Sequence, residues 1–133
     1  MISNKLDADL ILLCGGLGTR FQSVSSKTPK VLTKFYNKNY LDLVIEKCIN
    51  FKIKSLILAT GHLHEEIEKY LRNKLFGLKI ILSKENEPLG TWGAILNAKQ
   101  FIRESKFFVM NGDTFNDLDL ISGLKFFSKK RCT

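Results

Sequence analysis

The chain has 133 residues, 44% apolar and 26% charged, with 2 prolines, which is one domain or a piece of one able to bury a core. That composition excludes a disordered chain, and with Asp7 and Asp9 breaking the early apolar run, neither a bilayer span nor a secretory signal is expected. The net charge of +8 comes from 17 lysines and 4 arginines scattered along the chain, a poor pattern for gripping nucleic acid and a fair one for an anionic small molecule.

The first element is the continuous apolar run Leu10 to Cys14, which reads as a strand covered on both faces. From Leu41 the apolar residues Val44, Ile45, Cys48 and Ile49 recur at helical spacing. Ser55 to Ala59 is a second buried strand, stopped at Thr60-Gly61. Leu63, Ile67, Tyr70 and Leu71 mark a second helix with Glu65, Glu66 and Glu68 near its start. Leu78 to Leu82 reads as a third strand, Ile95, Ala98 and Ile102 as a third helix, and Phe107 to Met110 as a fourth strand. Leu118, Ile121 and Leu124 suggest a last helix. Strand and helix alternate with short connections, which predicts an α/β fold: a three-layer, Rossmann-like sandwich with a mainly parallel sheet and right-handed crossovers. A sheet ending after the last helix would leave an edge bare, so the chain reads as the first part of a larger domain.

Ligands in open α/β sheets bind beyond the carboxyl ends of strands. There the first strand runs into Gly15-Gly16-Leu17-Gly18-Thr19-Arg20. Glycines let main-chain N–H groups approach an anion, though a plain strand-to-loop turn would use the same residues. The run lacks the Gly-Lys-Ser/Thr ending of a P-loop and the third glycine of a dinucleotide fingerprint. Arg20 and, after Pro29, Lys30 add a planar donor fork and a compact ammonium, as a polyphosphate requires. Asp113 follows the fourth strand, where it either binds a cation or forms an Asx-turn. Thr91 is a candidate N-cap for the third helix.

Leu13-Cys14-Gly15-Gly16-Leu17-Gly18-Thr19-Arg20-Phe21 with Pro29-Lys30, then Glu87-Pro88-Leu89-Gly90-Thr91, then Asn111-Gly112-Asp113-Thr114, resembles in order the motifs of the sugar-phosphate nucleotidyltransferases. The resemblance covers about residue 8 to the C-terminus, and residues 1–133 then form a single domain of this type, its N-terminal portion. It implies transfer of a nucleotidyl group from a nucleoside triphosphate to a sugar 1-phosphate, with Mg²⁺ as cofactor. Gly15, Gly16, Gly18 and Thr19 would hold the triphosphate, with Glu85, Glu87, Gly90 and Thr91 at the base. Arg20 and Lys30 would be the catalytic cations and Asp113 the metal ligand, with the family's other metal-binding aspartate past residue 133.

A carboxylate suits the adjacent donors of guanine, so Glu85 and Glu87 favour GTP, although both could be solvated loop acids. The strings Glu-Asn-Glu-Pro-Leu-Gly-Thr and Asn-Gly-Asp-Thr-Phe look most like the D-glycero-D-manno-heptose 1-phosphate guanylyltransferase branch, with mannose-1-phosphate guanylyltransferases as the runner-up. Such enzymes serve surface-glycan and lipopolysaccharide biosynthesis. The alternative of another class is an inactive, truncated remnant that at most binds nucleotide.

Trp92 departs from the family's usual small residue and could stack on a ligand, narrow the pocket or pack in the core, the last being favoured. His62 and His64 read as structural, as does Cys14, while Phe107, Phe108, Phe126 and Phe127 read as core or as bare surface. The three cysteines, Cys14, Cys48 and Cys132, show no zinc or redox spacing and fit a cytoplasmic protein. No nucleic-acid or membrane partner is expected, and homo-oligomers stay open.

Overall fold

A computed structural model describes residues 6–16, 27–113 and 119–130. Four parallel strands form the sheet: β1 (Asp9–Leu13), β4 (Ser55–Thr60), β5 (Lys79–Lys84) and β6 (Phe107–Asn111), in the spatial order β5-β4-β1-β6. The register pairs Leu13 with Ala59 on one side and with Asn111 on the other, and Thr60 with Lys84. All four carboxyl ends therefore finish along one rim.

Successive strand residues point to opposite faces, and the core divides accordingly. Leu10, Leu12, Leu56 and Leu58 face a large cluster built with α1 (Tyr40–Asn50), α2 (His64–Leu71) and α4 (Leu120–Lys130) through Leu41, Val44, Ile45, Cys48, Ile67 and Leu120. Ile11, Ile57 and Ala59 face the other way, onto Ala94 and Ala98 of α3 (Gly90–Lys99). Helices thus cover both faces, as the alternation of periods predicts.

Two features have no counterpart in the sequence pattern. A 3-10 turn, Lys30–Leu32, leads into a hairpin, β2 (Lys34–Phe35) and β3 (Lys38–Asn39), with Tyr36 at positive φ at its tip. The hairpin delivers Asn39 as the N-cap of α1, where it accepts from Asp42 N–H at 2.8 Å and completes a capping box.

Two expectations need correction. Thr91 is no N-cap: α3 starts at Gly90, its cap is Leu89, and Thr91 lies exposed in the first turn. Trp92 is not in the core but 69% exposed. Ala94 and Ala98 set the buried side of α3, and Trp92, two residues before Ala94, lies about 200° around the helix from it. Phe107, Phe126 and Phe127 are also exposed, whereas Phe108 packs against the core. Among the described residues no helix is long and apolar enough to cross a membrane.

Candidate functional site at the strand ends

Beyond Leu13 the chain reaches Gly15, between the ends of β4 and β6. On the β4 side it meets Glu85. A Cβ on Gly15 would lie 3.1 Å from Glu85 Oε1 and 3.4 Å from Gly61 N, so this approach is tight. Glu85 is buried, its N–H donates to Thr60 O at 2.7 Å, and its Oε2 accepts from Leu89 N–H at 3.2 Å. That carboxylate is therefore built into the loop rather than solvated. Glu87 is exposed. Together with Gly15, Gly61, His62 and Lys84, both acids line a cleft of about 360 Å³. Behind it, Asn97 of α3 donates to Ser83 Oγ at 3.1 Å and to Lys84 O at 3.2 Å, pinning the end of β5.

On the β6 side, Gly112 N–H donates to Leu13 O at 2.9 Å. A Cβ on Gly112 would stand 2.6 Å from both Leu13 O and Val31 Cγ1, so only glycine fits that crossing. Val31 is buried there, and its neighbour Lys30 brings Nζ to 3.9 Å from Asp113 Oδ2. Both side chains are about half exposed, open to a ligand as well as to each other. The Tyr40 hydroxyl donates to Asn111 O at 3.1 Å, fixing the strand end from below. Burial and the nearby Asp113 charge raise the Tyr40 phenol above its ordinary range, so it stays a donor.

Of the residues predicted for the site, the fold gathers Gly15, Glu85 and Glu87 around one cleft and sets Lys30 beside Asp113 across the glycine loop. Gly16 follows in the same loop, with open space where a Cβ would stand. Gly90, at φ +71°, and Thr91 begin α3 outside the cleft lining. Gly18, Thr19 and Arg20 lie outside the described residues. Asp113 ends up half exposed beside Lys30, and among the described residues no three His, Cys, Asp or Glu side chains cluster as a metal site.

The two histidines separate. His64 is buried, with Nδ1 2.7 Å from Thr60 Oγ1, which is structural as expected. His62 instead lines the cleft, which sequence pattern did not foretell. Cys14 fits its structural reading: its thiol donates to Leu12 O at 3.5 Å and burial pushes it up to about 12.

A nucleotidyl transferase family model matches residues 9–133. The chain belongs to the nucleotidyl transferase family. It is 42% identical over 122 residues to a D-glycero-alpha-D-manno-heptose 1-phosphate guanylyltransferase of Campylobacter jejuni, covering 92% of this chain and 54% of that protein. It is 35% identical over 120 residues to the mannose-1-phosphate guanylyltransferase catalytic subunit beta of Danio rerio, covering 87% of this chain and 33% of that one. Among solved structures, HddC from Yersinia pseudotuberculosis complexed with GMP-PN superposes with a TM-score of 0.80 at 36% identity, over 90% of this chain and 54% of that chain. This nucleotidyl transferase chain thus spans about half, or less, of the length of these relatives.

Proposed function

We propose that the protein transfers GMP from GTP to a sugar 1-phosphate, releasing pyrophosphate. The observation that carries this reading is the pairing of two sites across one glycine loop: a cleft with a buried carboxylate, and the Lys30–Asp113 pair. Family membership and the GMP-PN complex of the related HddC support it.

A phosphate oxygen of the sugar 1-phosphate attacks the α-phosphorus, the α–β phosphoanhydride bond breaks, and pyrophosphate departs. The attacking phosphate is largely ionised near neutral pH, its second pKa being about 6, so no general base is required. What remains is alignment and charge neutralisation. The N–H groups of Gly15, Gly16 and Gly18 would cradle the triphosphate, with Thr19 as a further nucleotide-binding residue. Arg20 neutralises charge at the α-phosphorus and the leaving group, and Lys30 anchors phosphates at the adjoining strand end.

Glu85, backed by Glu87, accepts from the N1–H and N2–H₂ donors of guanine. Gly90 and Thr91 follow at the start of α3 as the end of the same nucleotide-binding segment. Asp113 is half exposed beside a lysine, and one carboxylate with phosphate oxygens is a donor set that Mg²⁺ accepts. Asp113 would hold the ion, which when bound supplies charge neutralisation at the phosphates.

The acceptor favoured is a heptose 1-phosphate, by the higher identity to the Campylobacter jejuni relative, with mannose 1-phosphate second. The reaction belongs to the cytoplasm and its product to surface-glycan and lipopolysaccharide assembly.

Purified protein with Mg²⁺ should release pyrophosphate from GTP and either sugar phosphate. No release with any triphosphate and sugar 1-phosphate pair would refute the reading. Arg20→Ala should remove most turnover while the circular dichroism spectrum stays native, and unchanged turnover would refute the role given to Arg20.

A further inference from the structure

The loop between β4 and α2 carries a backbone conformation that its sequence does not favour. Leu63 sits at φ 60°, ψ 28°, the left-handed region, which a bulky side chain rarely enters. Three contacts hold it there: the Gly61–Leu63 bridge, His64 N–H donating to Gly61 O at 3.1 Å, and the buried contact between His64 Nδ1 and Thr60 Oγ1 at 2.7 Å. Strain kept by surrounding structure tends to mark positions where a side chain is being aimed. Here the residue on display is His62, which lines the cleft beside Gly61, itself packed against the Glu85 side chain.

The cleft has an unmet chemical need. A carboxylate can only accept, so Glu85 serves the donors of a purine and leaves the O6 and N7 acceptors of guanine without a partner. Of the other lining side chains with N–H groups, Lys84 directs its ammonium to Glu65 at 3.2 Å, and Asn86 is exposed in the loop. The ring of His62 is exposed as well and makes no hydrogen bond among the described residues, but of the two it is the one presented by the left-handed turn at Leu63.

We propose that His62 is a second base-reading residue, donating a ring N–H to O6 of guanine while Glu85 accepts from N1–H and N2–H₂. This rests on the guanylyl reading above. The pair would read both polarities of one base: adenine has an amino donor where His62 needs the O6 acceptor, and it lacks the N1–H and N2–H₂ donors that Glu85 takes.

The test is equilibrium binding of GTP and of ATP to the protein and to three variants. His62→Ala and His62→Phe should each weaken GTP binding about tenfold, the worth of one well-placed hydrogen bond, with ATP binding unmoved. His62→Gln, which retains an N–H donor, should recover most of the loss. Equal weakening of GTP and ATP in His62→Ala would mean the turn merely deforms, and wild-type affinity in His62→Phe would mean the ring only stacks; either overturns the inference. If the native protein shows no preference for GTP over ATP, the guanylyl reading itself fails first. An undiminished preference for GTP in His62→Ala sinks the role of His62 alone.

Discussion

The two rims of the sheet treat a buried carboxylate in opposite ways. At the amino rim, Asp9 is enclosed and saturated: Oδ1 accepts from Ser55 Oγ at 2.6 Å, and Oδ2 from the N–H groups of Arg103 and Glu104 at 2.8 and 3.0 Å. At the carboxyl rim, Glu85 is nearly as buried, yet among the described residues the N–H of Leu89 is its one hydrogen-bond donor. A saturated carboxylate is an internal bolt. One with capacity to spare, facing a cleft, is a group waiting for donors from elsewhere, and the contrast separates structure from function within one residue class.

The largest effect should come from removing the bolt. Asp9→Ala leaves two N–H groups and a hydroxyl without their acceptor, so a loss of about 3 kcal/mol is expected in denaturant unfolding, with GTP affinity of the folded protein unchanged. Acid probes the same residue. Burial alone would raise the Asp9 pKa, but the bonds from Ser55, Glu104 and Arg103 outweigh it and hold the carboxyl below the usual range. Its stabilisation is therefore complete above the ordinary carboxylate pKa of about 4 and is lost as the pH falls through the lower, folded value. Asp9→Asn should lessen the loss of stability on going from pH 6 to pH 3; an identical loss in the variant would contradict the assignment.

Gly112→Ala comes next. The new methyl would meet Leu13 O and Val31 at the Asn111–Asp113 turn, costing about 2 kcal/mol and displacing Lys30 from Asp113. The thermal midpoint and pyrophosphate release should fall together. Glu85→Gln keeps the acceptor for Leu89 N–H but loses the charge, so it should hardly move stability while weakening GTP binding by about ten- to a hundredfold. A variant that unfolds but binds normally would reverse the contrast between the rims. The smallest effect is that of Trp92→Ala, an exposed helical site, within about 0.5 kcal/mol by chemical denaturation.

Much of this architecture was readable before any coordinates. Leu10–Cys14 and Leu56–Ala59 are apolar on consecutive residues, as a short doubly covered strand requires, and the helical stripe of α1 has no competing period. The hairpin was not readable, because strands of two residues have no alternation to detect. The glycine loop, Lys30 and Asp113 stood out by residue type and order. Their closeness did not, since it depends on the pairing of Leu13 with Asn111 and on Val31 docking against Gly112. Trp92 was misjudged because a lone tryptophan is more often packed than not, whereas the phase of α3 is set by alanines. His62 and His64 look alike as letters; a left-handed Leu63 between them sends one inward and the other to the cleft.

The grip of Asn97 on Ser83 and Lys84 has a consequence for how such a chain can diversify. The loop from Glu85 to Leu89 is a short strap, fastened at its near end by the amide of Asn97 and at its far end by the first turn of α3. A strap tied at both ends can trade one side chain for another without changing its course. Single-codon replacements at 86 or 87 can therefore retune what the cleft accepts while the scaffold beneath stays as it was.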